Sequence, residues 1–315
     1  MNSTTLLFSL RCHQDSVTSL DYLDGQLLSS SADGSVCLWN LATRRPSFRL
    51  SPSSNSSLPG GVLSSSVVVN KLVLIQFRGG QHYFHDIESN TTLYETNTSF
   101  SGFCKSVSLS SDTFACGSAT DGLTEVHDFR LNQKVIEIVP KTIEQLGYLS
   151  CLSFIKPYHL ATFYESGSMH MYDLRSPSDP FCVYPLFNSA VLCSAALPSG
   201  EIVTGSTPDH PLMLCSSTIA PRTVSLGGSS ATFFPGISGL SISSNSICCS
   251  LYTGKSLLLS FNRKEMSCAP KLWVEHPLVV RQSENRIYSC VNYMKDDRVF
   301  IGGSDGNISV HLITK

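Results

Sequence analysis

Charge is scarce in this 315-residue chain: only 15 % of its residues are Asp, Glu, Lys or Arg, and the formal net charge is −2. Nucleic-acid binding runs on clustered Lys and Arg that neutralise phosphates, so the composition argues against a direct nucleic-acid partner. Long apolar runs are also missing. No segment approaches the roughly 20 apolar residues that a bilayer-spanning helix needs, and Met1–Leu10 has neither the basic start nor the apolar stretch of a signal peptide. The N-x-S/T triplets at Asn2, Asn55, Asn90, Asn97 and Asn307 would matter only on a secretory route. Paired cysteines are absent as well: none of the 12 cysteines forms C-x-x-C, and most (Cys37, Cys104, Cys116, Cys151, Cys193, Cys290) sit inside apolar strand patterns, with Cys248 and Cys249 adjacent. Buried free Cys behaves as a small hydrophobe, so a reducing compartment is expected, cytoplasmic and/or nuclear. With no P-loop, H-E-x-x-H or paired-cysteine zinc signature, no enzymatic activity, cofactor or metal is expected.

What is present is apolar and repetitive. Hydrophobic residues make up 42 % of the chain, and Ser, Thr, Val and Leu dominate where helix formers would otherwise stand, as short strands require. The clearest unit runs through Cys12-His13, Val17–Leu20, Leu27–Ser31, Asp33-Gly34 and Val36–Asn40. A tight Asp-Gly turn separates two apolar segments, and Trp39 follows Gly34 by five residues. Aligned on that turn, matching positions are Gly34, Gly80, Gly122, Gly167, His210, Gly254 and Gly306, which are 42 to 52 residues apart. Five residues after each come Trp39, His85, His127, Tyr172, Cys215, Leu259 and His311. A repeat of this length and pattern resembles the WD40 repeat and implies a β-propeller.

The fold expected is therefore all-β, a seven-bladed WD40 β-propeller closed by the N-terminal strand pairing into the last blade. The blades are expected at residues 12–50, 61–97, 103–140, 147–187, 189–226, 236–275 and 286–315, with residues 5–11 completing the last. Ser51–Gly61, Pro140–Gly147 and Gly227–Pro235 read as linkers, and the longest step reflects an insertion around Trp273–Asn285. Loops on such a scaffold are where binding specificity resides.

Several residues invite chemical readings. His13, Ser31, Asp33 and Trp39 could be mistaken for a catalytic relay, but in this repeat they are expected to form a buried hydrogen-bonded tetrad that locks the blade. His82 and His85 are three apart on a strand, hence on opposite faces. His85, His127 and His311 share the Trp39 position and are expected to be inner-blade residues, not metal ligands. Asp128-Phe-Arg130 and Asp173-Leu-Arg175 place arginines three residues past that position in adjacent blades. They look like the W-D-x-R boxes of propellers that dock on the cullin-4 adaptor, although each arginine could instead pair with the aspartate of its own blade. Trp273, in Lys271–Val274, is either a core residue of the sixth blade's outer strand or an aromatic anchor at an interface.

Within WD40 proteins the chain resembles the G-protein β-subunit-like protein 1 / ASTRA-associated protein 1 family. The features that carry this are Gly102-Phe-Cys-Lys105, the Gly117–Glu125 turn, Lys134–Ile136, Ser150–Leu152 and the terminal Gly302–Ser309. Blades two, five and six depart furthest from the repeat. The resemblance implies a non-catalytic adaptor that works with co-chaperones maturing phosphatidylinositol-3-kinase-related kinases, or in a chromatin-linked ASTRA assembly; the chain is expected to be monomeric on its own. No heptad segment precedes Leu6, which disfavours a heterotrimeric Gβ role.

Overall fold

In five of the blades the hairpin between the second and third strands (strands b and c, lettered a to d in chain order) grows from one local recipe: an apolar run, a turn with a left-handed backbone, and a second apolar run. Glycine supplies that turn at Gly34, Gly80, Gly122, Gly167 and Gly306, with φ between +76° and +91°. At Gly167 close approach adds to the conformational demand, since a Cβ there would lie 2.1 Å from the carbonyl oxygen of Phe187. The corresponding His210 and Gly254 lie outside the described residues.

The computed structural model describes residues 3–51, 60–155, 157–197, 199–206, 212–226, 236–243, 246–251, 255–262, 267–275, 291–295 and 297–314. The fold is a seven-bladed β-propeller built from seven sheets of antiparallel meanders. With strands lettered a to d in chain order, blade one holds Val17–Leu23, Gln26–Ser31, Val36–Asn40 and Arg45–Leu50. Blade two holds Val62–Val69, Leu72–Phe77, Gln81–Asp86 and Thr91–Asn97. Blade three holds Val107–Ser108, Thr113–Gly117, Thr124–Asp128 and Gln133–Ile138. Blade four holds Leu149–Ile155, His159–Tyr164, Ser168–Asp173 and Cys182–Pro185, and blade five Cys193–Ala196, Ile202–Gly205, Met213–Cys215 and Arg222–Thr223. Blade six has Ile237–Ser243, Ser246–Leu251, Lys255–Asn262 and Ser267–Glu275, and the short strand Ser225–Leu226 adds in parallel to its outer edge. Blade seven takes Val291–Lys295, Arg298–Gly302 and Asn307–Thr314 from the end of the chain, and its outermost strand is Ser3–Arg11.

That last pairing is antiparallel and continuous from Ser3↔Thr314 to Arg11↔Asn307, with one irregularity between Leu6 and Phe8. The expected closing segment Leu6–Leu10 lies inside it. Leu10 is buried, and the turn beyond is fixed by Val17 N–H donating to the Gly303 carbonyl at 3.0 Å. A Cβ on Gly306 would press to 2.5 Å from the His13 carbonyl oxygen.

Strands b and c are covered on both faces, as Leu27, Leu28, Ser29, Ser30 and Ser31 in blade one show. This explains why they read as apolar runs without alternation. The d strands of blades two, three and four carry water on one side, with Leu93, Val135 and Val183 exposed. The described chain divides into two units, Asp21–Val191 and Met1–Leu20 with Leu192–Lys315. In the first, apolar clusters join blades one and two (Leu28, Val36, Val73, Ile75), two and three (Leu74, Phe84, Phe114, Cys116), and three and four (Ala115, Val126, Leu152, Leu160). In the second, they join blades five and six (Val203, Leu214, Ile247, Leu257) and six and seven (Cys248, Leu258, Val299, Ile301).

The segments expected to be linkers fare unequally. Residues 52–59 and 227–235 lie outside the described residues, as do 276–285 of the expected insertion. The linker before blade four contains one helical turn, Ile143–Leu146, which buries Leu146 against the blade three and four core. Among the described residues no helix is long and apolar enough to cross a membrane.

Deleting residues 1–11 should lower the melting temperature sharply, because it strips a whole strand from blade seven, loses the burial of Leu10, worth about 2–3 kcal/mol, and bares the edge of strand Asn307–Thr314. A truncated protein that melts with the full-length chain would show that this pairing carries no stability.

Candidate functional site

Register places the repeat position identified in the sequence at one structural address. Trp39 pairs with Leu27, His85 with Val73, His127 with Phe114 and Tyr172 with Leu160. Cys215 pairs with Ile202, Leu259 with Ile247 and His311 with Val299. All seven are therefore equivalent residues of strand c, and none of the seven is a turn residue. On the same face, two residues closer to the turn, stands a second cross-strand pair, such as Ser29 with Cys37 in blade one.

In blade one Trp39 is buried and its indole N–H donates to Ser29 Oγ at 2.8 Å. The sequence had suggested Ser31 for this hydroxyl. Three serines in a row hide the choice, which register makes: Ser29 lies one same-face step from the partner of Trp39. Ser31 serves the turn, its Oγ accepting from Asp33 N–H at 3.1 Å. Asp33 Oδ1 in turn accepts from Ser35 N–H at 2.8 Å and Ser35 Oγ at 2.6 Å. His13 is buried in the segment leading into strand a.

Other blades put different polar pairs at the same address. In blade seven His311 Nε2 meets Ser309 Oγ at 3.0 Å, and in blade four His170 Nδ1 meets the Tyr172 hydroxyl at 3.4 Å. In blade three His127 Nε2 lies 2.9 Å from Glu125 Oε2, while Ser118 Oγ donates to Glu125 Oε1 at 2.8 Å. Burial alone would raise the Glu125 carboxyl. The hydrogen bonds from His127 and Ser118 and the Lys134 ammonium at 3.4 Å outweigh it and hold the group at about 2. His82 and His85 sit on opposite faces of their strand, as expected, and both are buried. His82 is tied to the Gly80 carbonyl through Nδ1 at 2.9 Å, and burial drives it down to about 3.

The two arginine boxes lie at the a–b and c–d end of blades three and four. Asp128 Oδ1 accepts from the backbone N–H of Arg130 at 2.9 Å and of Leu131 at 3.1 Å. The Arg130 guanidinium reaches Asp112 Oδ2 at 3.1 Å across the two turns. In blade four Arg175 grips Asp173 with Nε at 2.9 Å and Nη2 at 2.5 Å, and this pairing holds the Asp173 carboxyl well below the usual carboxylate range. The same guanidinium lies 4.7 Å over the Tyr158 ring. Each arginine is thus paired inside its own blade while its side chain remains more than 60 % exposed. Leu131, Tyr158 and Phe181 are exposed beside these boxes, and His159 packs on Phe181 with ring centroids 4.9 Å apart.

Trp273 falls on the outer strand of blade six, where its backbone pairs with Leu257; its side chain lies outside the described atoms. Gly302–Gly306 spells the G-x-S-x-G of a nucleophile elbow, but it joins two strands through a b–c turn instead of a strand and a helix. The thiols of Cys104 and Cys116 are pushed up by burial, which makes them poor nucleophiles.

Ser29→Ala should cost about 1–3 kcal/mol, since it leaves a buried indole N–H without its acceptor. Its effect should fall well short of additive with Trp39→Phe in urea unfolding; strict additivity would mean the bond contributes nothing. The buried His82 sets a pH dependence with a definite sign. Its folded pKa is depressed, so below about 6.5 the unfolded chain takes up a proton that the folded chain refuses, and stability falls with pH. That single group should remove about 2 kcal/mol between pH 7 and pH 5, and His82→Leu should flatten the slope; His85 and His170, lowered by burial, act in the same direction. Comparison with protein-family models and with curated protein sequences found no match.

Proposed function

We propose that the chain is a non-catalytic WD40-type adaptor whose partner protein docks at the a–b and c–d end of blades three and four. The observation that carries this reading is the pair of arginine boxes there, held rigid by Asp112, Asp128 and Asp173 yet open to solvent beside Leu131, Tyr158 and Phe181. Arginine and aromatic side chains on a preorganised surface are what interface hot spots are made of. The fold supports such a role in general, because a β-propeller offers many turn surfaces on a stable frame. The ten described cysteines are free thiols, in keeping with the cytoplasmic or nuclear location we propose.

The resemblance at Gly102–Lys105, Gly117–Glu125 and Gly302–Ser309 makes the kinase-maturation co-chaperones the first partner class to test. The second reading, a substrate receptor on a cullin-4 adaptor, is favoured by the two boxes occurring in adjacent blades. Trp273 is a further proposed contact for either partner.

Affinity purification with mass spectrometry separates the two. Wild-type chain should recover kinase-maturation co-chaperones, and Arg130→Ala/Arg175→Ala should lose its partners at least tenfold. Exposed ion pairs are worth about 0–1 kcal/mol, so the double variant should melt within a few degrees of wild type. Recovery of the cullin-4 adaptor, lost in the same variant, would establish the second reading. Partners unchanged by the double variant would place the docking surface elsewhere.

A further inference from the structure

Blade three replaces the neutral tie of blade one with a different set of atoms at the same three addresses. Blade one has Ser29 on strand b, with Cys37 and Trp39 on strand c. Blade three has Cys116, Glu125 and His127. Cys116 stands directly opposite Glu125, and Glu125 and His127, two apart on one strand, share a face. All three are buried, and one ligating atom from each lies within 4.8 Å of the others. A tetrahedral ion with bonds of about 2.0–2.3 Å holds its ligands roughly 3.3–3.7 Å apart, so small rotamer changes would suffice.

Nε2 is the His127 nitrogen that faces Glu125, at 2.9 Å. A neutral imidazole that gives this nitrogen to an ion keeps its proton on the other, the ordinary state of a metal-ligating histidine. The charge that opposes a cation here is Lys134, 3.4 Å from Glu125 Oε1. It is half-exposed and also paired with Glu137 at 2.5 Å, so it can leave Glu125 without losing its partner.

We propose that Cys116, Glu125 and His127 form a binding site for a divalent transition-metal ion of the zinc class. Thiolate with imidazole and one carboxylate suits zinc and is wrong for magnesium or calcium, which demand oxygen ligands. Binding exchanges the Cys116 thiol proton, released to solvent, for the metal–sulfur bond. Three protein ligands leave one position to a small ligand such as water. The ion would tie strand b to strand c, as the indole-to-hydroxyl bond does in blade one. In the sequence His127 reads as an inner-blade residue because it shares the Trp39 position; Cys116, eleven residues upstream, is brought to it only by the register of the hairpin.

Cobalt(II) is the direct probe. Reduced full-length protein, freed of metal with a chelator, should bind one equivalent of Co(II), with tetrahedral d–d bands and a thiolate-to-cobalt charge-transfer band that Zn(II) abolishes. Zn(II) should also raise its melting temperature. Cys116→Ser should lose the charge-transfer band, while Cys104→Ser, another buried cysteine, should keep it. Should Cys116→Ser fail to fold, Glu125→Gln carries the comparison, with a loss of at least tenfold in Co(II) affinity. No charge-transfer band in wild type, or a band that survives in Cys116→Ser or binding unchanged in Glu125→Gln, overturns the proposal.

Discussion

The pairing of Ser3–Arg11 with Asn307–Thr314 is the interaction on which the rest of the molecule depends. A blade is a four-stranded antiparallel sheet, and the end of the chain supplies only three strands to the seventh. Without a fourth, strand Asn307–Thr314 would present a bare row of N–H and C=O groups, the edge that invites association and fraying. Taking that strand from the start of the chain makes the contact as non-local as this sequence allows. Stability there cannot be a property of blade seven alone. Loop-closure entropy must be overcome before any of these bonds forms, so the joint is expected to assemble late and to fail as a unit.

Inside the blades a second constraint operates. Strands b and c are covered on both faces, so any polar group at the repeat position must find its partner within the sheet. Trp39 finds Ser29, His311 finds Ser309, His170 reaches Tyr172 and His127 takes Glu125. The address is constant while the chemistry placed there varies from blade to blade. This is why the repeat decays in sequence while the meander persists. The buried address serves stability. Recognition belongs to the turns at the blade ends, where the arginine boxes hold charge and aromatic surface in the open.

Much of this was legible from residues alone. The spacing from turn to Trp39 carried to all seven blades because a b–c hairpin of fixed length fixes register. The left-handed turns described in blades one to four and seven showed as glycines because a residue without a Cβ adopts that backbone freely. What stayed hidden was which residues meet across strands. Ser29, Ser30 and Ser31 are indistinguishable as letters, and only the pairing of Trp39 with Leu27 selects Ser29. Cys116 reads as one more apolar strand residue until the hairpin sets it against Glu125. The helical turn Ile143–Leu146 was invisible because four residues carry too little periodicity to register.

The central claim, that the two ends of the chain are held together as one sheet, is tested most directly by amide hydrogen–deuterium exchange on the intact protein. Peptides covering residues 3–11 and 307–314 should both show protected amides that open together as denaturant is added, since alternate N–H groups of each strand are held by the other. Exchange of residues 3–11 at the rate of an unstructured chain, while residues 307–314 stay protected, would contradict it.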